Sequence, residues 1–143
     1  MESHDQLFNI RHSLAHLLAM AVFKHDPGAS LGIGPVTENG FYYDIQPSSD
    51  KPLSDKDFKE LEKSMKHFIK QQLDFTQEEV SVGQARELFK DQPYKLEIID
   101  EIEKRNETIT VYRTGGFFDL CAGPHVKNTL EIDPSAFSLN KIA

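Results

Sequence analysis

RHSLAHLLAMAVF, residues 11–23, dictates how the rest of the chain must fold around it. Leu14, Leu17, Leu18, Ala21 and Val22, with Ile10 just ahead, recur at helical spacing and form a core stripe. The opposite side carries Ala15, Ala19, Phe23 and two histidines, His12 and His16. The helix predicted over Asn9 to His25 is therefore apolar nearly all round and has to be buried on both flanks. Two imidazoles in such a place need partners, because an unsatisfied buried polar group costs about 1–3 kcal/mol. Taken alone, HxxxH reads first as a pair of hydrogen-bonded core histidines.

A second segment answers the first. In DLCAGPH, residues 119–125, Cys121 and His125 are again four apart, but Gly123-Pro124 disfavours a helix. The two side chains therefore belong to a strand-to-turn segment that can aim both at one point. Asp119 precedes Cys121 by two and shares its face on a strand. Cysteine, histidine and carboxylate together are groups that bind a metal or handle protons and water.

Between these segments the sequence alternates elements without a βαβ rhythm. Asp26-Pro27-Gly28 stops the first helix. LGIGPVTENGFYYDI, residues 31–45, reads as two short strands around Glu38-Asn39-Gly40, where Asn-Gly favours a primed hairpin turn. Gly32 and Gly34 lack the third glycine and following helix of a dinucleotide fingerprint, so close backbone approach is their better account. PSSDKPLS, residues 47–54, is a loop, and Ser54 caps an amphipathic helix whose inner stripe is Phe58, Leu61, Met65, Phe68, Ile69 and Leu73. Its lysines alternate with acids and read as a solvated face.

FTQEEVS, residues 75–81, is a strand, and Ser81 with Gln84 opens a short helix that Pro93 ends. Tyr94 to Lys104 is helical with Leu96, Ile99 and Ile102 inside. ETITVYRT and GGFFDL are strands, and PSAFSLNKIA, residues 134–143, is expected to be a last one. These expectations describe an α+β fold, a mainly antiparallel sheet packed in two layers against the buried N-terminal helix and further helices. Residues 1–8 read as a tail and 9–143 as one domain.

Composition narrows the function classes. A chain of 143 residues fits one domain with a real core. Its single cysteine excludes an internal disulfide and suits a reducing, cytoplasmic setting. The longest apolar run, Leu14 to Phe23, is too short for a bilayer and follows no basic leader, so no membrane role is expected. A net charge of −7 argues against broad phosphate binding, and any nucleic-acid contact has to be local.

RHSLAHLLAMAV, the IGPVTENGFYYD hairpin and DLCAGPHV, in that order and at matching distances, closely resemble the second N-terminal domain of bacterial threonyl-tRNA synthetases. That module is shared with alanyl-tRNA synthetases and freestanding alanyl-tRNA hydrolases, and the likeness runs from about Ile10 to the end. It implies an editing hydrolase that removes serine wrongly attached to tRNA(Thr), acting on the acceptor end. The remaining synthetase domains, with the ATP- and zinc-using catalytic core of a homodimeric parent, would be its partners. The chain then looks like an excised fragment or a freestanding editor.

By position, the resemblance makes His12 and His16 pocket residues that order the hydrolytic water, with Cys121 and His125 completing the cluster. Asp119 and Lys95 would hold the ester and polarise the attack, and Tyr43 and Tyr112 would bind substrate. Without the resemblance, Lys95 reads as a surface charge on a helix and the tyrosines as core. Three imidazoles and a thiolate, His12, His16, Cys121 and His125, also make a complete zinc set, and closed sets of four are usually structural. The alanyl branch uses the cluster for zinc, while in the threonyl branch the side chains position water directly and no cofactor is required for editing. A zinc-stabilised structural module, a tRNA-docking module and a freestanding alanyl- or seryl-tRNA deacylase are the alternatives.

Overall fold

The decisive helix, α1, runs His4–His25 and is the spine of the molecule. The computed structural model describes residues 4–48 and 53–139. Helix α1 begins before the expected Asn9, so residues 4–8, read as a tail, are its first turns. Burial on both flanks is as the sequence requires, with Leu14, Leu17, Ala21 and Val22 on one side and Ala15, His16 and Ala19 on the other all below a tenth exposed. Helix α2 (Asp55–Lys70) packs along α1 through Leu61, Met65, Phe68 and Ile69. Its start at Ser54 carries the capping box with Asp57. Residues 49–52 of the expected loop lie outside the described residues.

The segment between α1 and α2 is a long antiparallel hairpin. Strand β1 (Ser30–Leu31) pairs with β4 (Ile45–Gln46), and β2 (Val36–Thr37) pairs with β3 (Gly40–Phe41). Two backbone bonds through Gly32 and Asp44 join the pairs into one ladder. The turn is Glu38-Asn39, one residue earlier than Asn-Gly would set it, and neither residue has the positive φ of a primed turn. Arg11 on α1 donates to the Thr37 and Glu38 carbonyls, a tertiary hold that local preference does not anticipate. Gly34 confirms the expected close approach: any β-carbon there would run into the Tyr43 ring.

The three-stranded sheet has the order β5 (Thr76–Val80), β6 (Ile109–Thr114), β7 (Phe117–Leu120), all antiparallel. Alternation along β6 and β7 sends Ile109, Val111, Phe118 and Leu120 to one face, where α3 (Val82–Leu88) and α4 (Pro93–Lys104) cover them. Tyr112 on the other face joins the core of α1 and α2. The class is α+β with antiparallel pairing, and this sheet gains a helical cover on its second face beyond the expected layer. Helix α3 opens on the Ser81/Gln84 box but ends at Leu88; Pro93 starts α4, where a missing N–H costs nothing. The expected strand over 134–143 does not form among its described residues. The last regular element among the described residues is a 3₁₀ turn at Thr129–Glu131, capped by Asn128, and residues 140–143 lie outside the described set.

Candidate functional site

Four segments converge on one cavity of about 200 Å³, lined by His12, His16, Tyr43, Lys95, Asp119, Cys121 and His125 with Ile33, Gly34 and Pro35 of the hairpin. Helical spacing places His12 and His16 on one flank of α1, and the β7 alternation places Asp119 and Cys121 on the face that meets them. Of the sequence-predicted residues only Tyr112 is absent from the wall. Its ring packs edge-on against His125 at 4.5 Å, and its hydroxyl lies beneath Gly123. Gly123, at φ 81°, could carry no side chain there. A larger, aromatic-walled cavity of about 440 Å³ shares Lys95 and Asp119 with the first and is lined by Phe23, Phe68, Phe89, Phe117 and Phe118, with Lys24, Asp91 and Gln92 as its further polar groups.

Lys95 is not a surface charge. It sits one turn before Ile99 on the inner stripe of α4 and is 2% exposed. Its ammonium donates to Asp119 Oδ1 at 2.7 Å, to the Gly32 carbonyl at 2.6 Å and to the Tyr43 hydroxyl at 2.8 Å. An ammonium has three hydrogens, and all three are engaged. Tyr43 donates onward to Asp119 Oδ2 at 2.6 Å, while the Leu120 N–H donates to Oδ1 at 2.7 Å. Burial and the neighbouring Asp119 hold the Tyr43 phenol well above its ordinary pKa, so it stays a donor.

The ring cluster is less complete. His12 Nδ1 lies 3.1 Å from the Pro124 carbonyl, which can only accept, so Nδ1 carries the hydrogen and Nε2 is bare. Cys121 Sγ lies 3.3 Å from that Nε2 and receives the Gly123 N–H at 3.3 Å. Burial pushes the Cys121 thiol up to about 11, so it is a protonated donor to His12. His125 stacks on His12 with centroids 4.4 Å apart, and His16 meets His125 edge-on at 5.2 Å. Both nitrogens of His16 and Nε2 of His125 are buried without a partner among the described residues. Burial lowers all three rings, His16 to about 4 and His125 to about 2, so they are neutral at physiological pH.

The donor chemistry fits a zinc ion, with fewer ligands than the sequence suggests. Donor atoms of His12, Cys121 and His125 lie within 4.8 Å of one another, and His16 is not among them. The expected closed set of four is thus a set of three with room for a further ligand, the pattern of reactive zinc centres. The second nitrogen of His12 is anchored by the Pro124 carbonyl, as a ligand ring requires, and Nδ1 of His125 lies 3.1 Å from the Ser13 hydroxyl.

Residues 109–141, which include Asp119, Cys121 and His125, match the family described as the threonyl and alanyl tRNA synthetase second additional domain. The chain is 43% identical over 142 residues to a threonine–tRNA ligase of Rubrobacter xylanophilus, covering 99% of this chain and 21% of that protein. It is 50% identical over 121 residues to one from Thermotoga neapolitana, covering 83% and 18%. With one from Borreliella burgdorferi it shares 40% over 143 residues, all of this chain and 24% of the relative. The chain therefore spans about a fifth to a quarter of the length of these relatives. No helix among the described residues is long and apolar enough to cross a membrane.

Proposed function

We propose that the chain is a second additional domain of the threonyl- and alanyl-tRNA synthetase kind, and that it is an editing hydrolase that cleaves the ester of seryl-tRNA(Thr). The observation that carries the reading is the small cavity in which neutral imidazoles with unpartnered nitrogens meet a buried ion pair. Serine lacks one methyl of threonine, and a synthetic site that accepts threonine discriminates against serine by only about 10–200-fold. A second site that admits the smaller side chain removes the error. A cavity of about 200 Å³ is below the usual size for drug-like ligands and suits one small aminoacyl group.

In this mechanism the bare Nε2 of His12 takes a proton from water, whose oxygen attacks the ester carbonyl. The ribose oxygen leaves and recovers a proton, giving free serine and tRNA. Cys121 keeps Nε2 occupied by a weak S–H bond until water replaces it. Lys95, Asp119 and Tyr43 hold the wall and its field in place, because their hydrogen-bonding capacity is already spent on one another. Were zinc resident, His12, Cys121 and His125 would hold it, and it would supply an acidified water. The acceptor end of tRNA(Thr) and the other domains of a synthetase are the partners this reading requires.

The test is deacylation of seryl- and threonyl-tRNA(Thr) by the purified chain. The expected result is release of serine with threonine retained, at a rate limited by weak docking of the tRNA. Equal hydrolysis of both esters contradicts the sieve, and hydrolysis of neither contradicts the enzyme.

A further inference from the structure

Ser13 stands between the cluster and the core, fully buried on α1 beside His12. Its hydroxyl oxygen has two partners: the Val126 N–H donates to it at 2.9 Å, and His125 Nδ1 lies 3.1 Å away. A hydroxyl has one hydrogen and two lone pairs, and Val126 takes a lone pair. Were Nδ1 of His125 protonated, Ser13 would accept twice, and its own hydrogen would be buried with no acceptor among the described residues. That is the costly arrangement. With Nδ1 bare, the hydroxyl donates to it and every group at the junction is satisfied. The hydrogen of the neutral ring is then on Nε2, the His125 nitrogen without a protein partner.

We propose that Ser13 is a positioning residue that locks His125 as the Nε2–H tautomer, so that this ring offers the aminoacyl ester a hydrogen-bond donor where His12 offers a lone pair. The role of the donor rests on the hydrolase reading; the tautomer does not. Two rings stacked at 4.4 Å then carry opposite hydrogen-bonding character, His12 fixed by the Pro124 carbonyl and His125 by Ser13. The donor is suited to the carbonyl oxygen on which negative charge develops. Ligation of zinc through Nε2 would require the other tautomer, so the same hydroxyl biases the cluster toward metal-free chemistry.

Imidazole ¹⁵N NMR of the full chain at neutral pH reads the tautomer directly, and single-turnover deacylation of seryl-tRNA(Thr) reads its use. In the unaltered chain His125 should show protonated Nε2 and bare Nδ1. Ser13→Ala should shift His125 to a mixture or to the Nδ1–H form and lower the deacylation rate at saturation by about 10-fold or more, with little change in the half-saturating concentration. Ser13→Thr, which keeps the hydroxyl, should restore both. Protonated Nδ1 in the unaltered chain overturns the proposal, and so does an Ala variant with unchanged spectrum and rate. Should Ser13→Ala not fold, the unaltered spectrum and the Thr variant decide. An unaltered chain with the Nε2–H form and no hydrolysis sinks the enzymatic reading and the donor role with it, while the tautomer stands.

Discussion

Lys95, Asp119 and Tyr43 on one wall of the cavity and His12, His16, Cys121 and His125 on the other are both withdrawn from bulk water, and they meet that condition in opposite ways. The first group closes on itself: three ammonium hydrogens, both carboxylate oxygens and the phenol all have partners between 2.6 and 2.8 Å. The second leaves three ring nitrogens with none among the described residues. Burying unpaired nitrogens costs stability, and under the proposed hydrolase reading these are the groups kept available for a reactant, whereas the closed group is framework. Charge sorts the same way. The framework carries the buried ion pair, and the open group is neutral.

The largest effect expected is on the framework. Lys95→Ala leaves Asp119 buried and unpaired, and should cost about 3–5 kcal/mol by denaturant unfolding. Lys95→Met combined with Asp119→Leu should recover much of that loss. If Lys95→Ala is as stable as the unaltered chain, the ion pair is not framework and the comparison fails. The surface charge that Lys95 reads as without the resemblance would instead give a variant that folds normally.

The next effect belongs to the open group and appears with pH. His16 falls from 6.5 to about 4 on folding, chiefly by burial, so the unfolded chain binds more protons between those values. The stability tied to its neutral form is complete above about 6.5 and declines as pH falls toward 4, with His125 extending the decline to lower pH. Urea midpoints between about pH 7.5 and 4.5 should fall with acid, and less steeply in His16→Phe. Equal slopes would mean His16 is solvated. The smallest effect lies outside both groups. Arg86 on α3 pairs with Asp100 and Glu103 of α4 at 3.0 and 2.7 Å, in water. Arg86→Ala should leave the unfolding midpoint unmoved within error, since exposed pairs contribute little.

What could be read from the sequence follows from how local each signal is. The α1 stripe and the Ser81/Gln84 box were legible because spacing alone encodes them, whereas the meeting of His12 with the Cys121 segment, 109 residues away, was legible through the family resemblance. The burial of Lys95 was half-legible: it falls at i−4 from Ile99, yet a charge on an inner stripe is read as an exception until its partners are known. Ser13 was missed, although a serine between two histidines on a helix with no wet face is a signal that its hydroxyl is spoken for. The turn at Glu38-Asn39 and the lack of a strand over the described residues 134–139 were beyond reach. Arg11 holds the first from 26 residues away. Ahead of the second, the chain is anchored through Thr129, whose hydroxyl donates to the Ile69 carbonyl at 2.9 Å.

The division into framework and working groups is tested most directly by His12→Ala, with unfolding and seryl-tRNA(Thr) deacylation measured on the same preparation. His12 is half-buried and gives the fold a bond to the Pro124 carbonyl and a weak one from the Cys121 thiol, so stability should change by about 1 kcal/mol. Hydrolysis should fall by about 10²-fold or more, the scale for removing a positioned proton acceptor. A folded His12→Ala protein that deacylates at the unaltered rate, or one that loses most of its stability and had no activity to lose, would contradict the account.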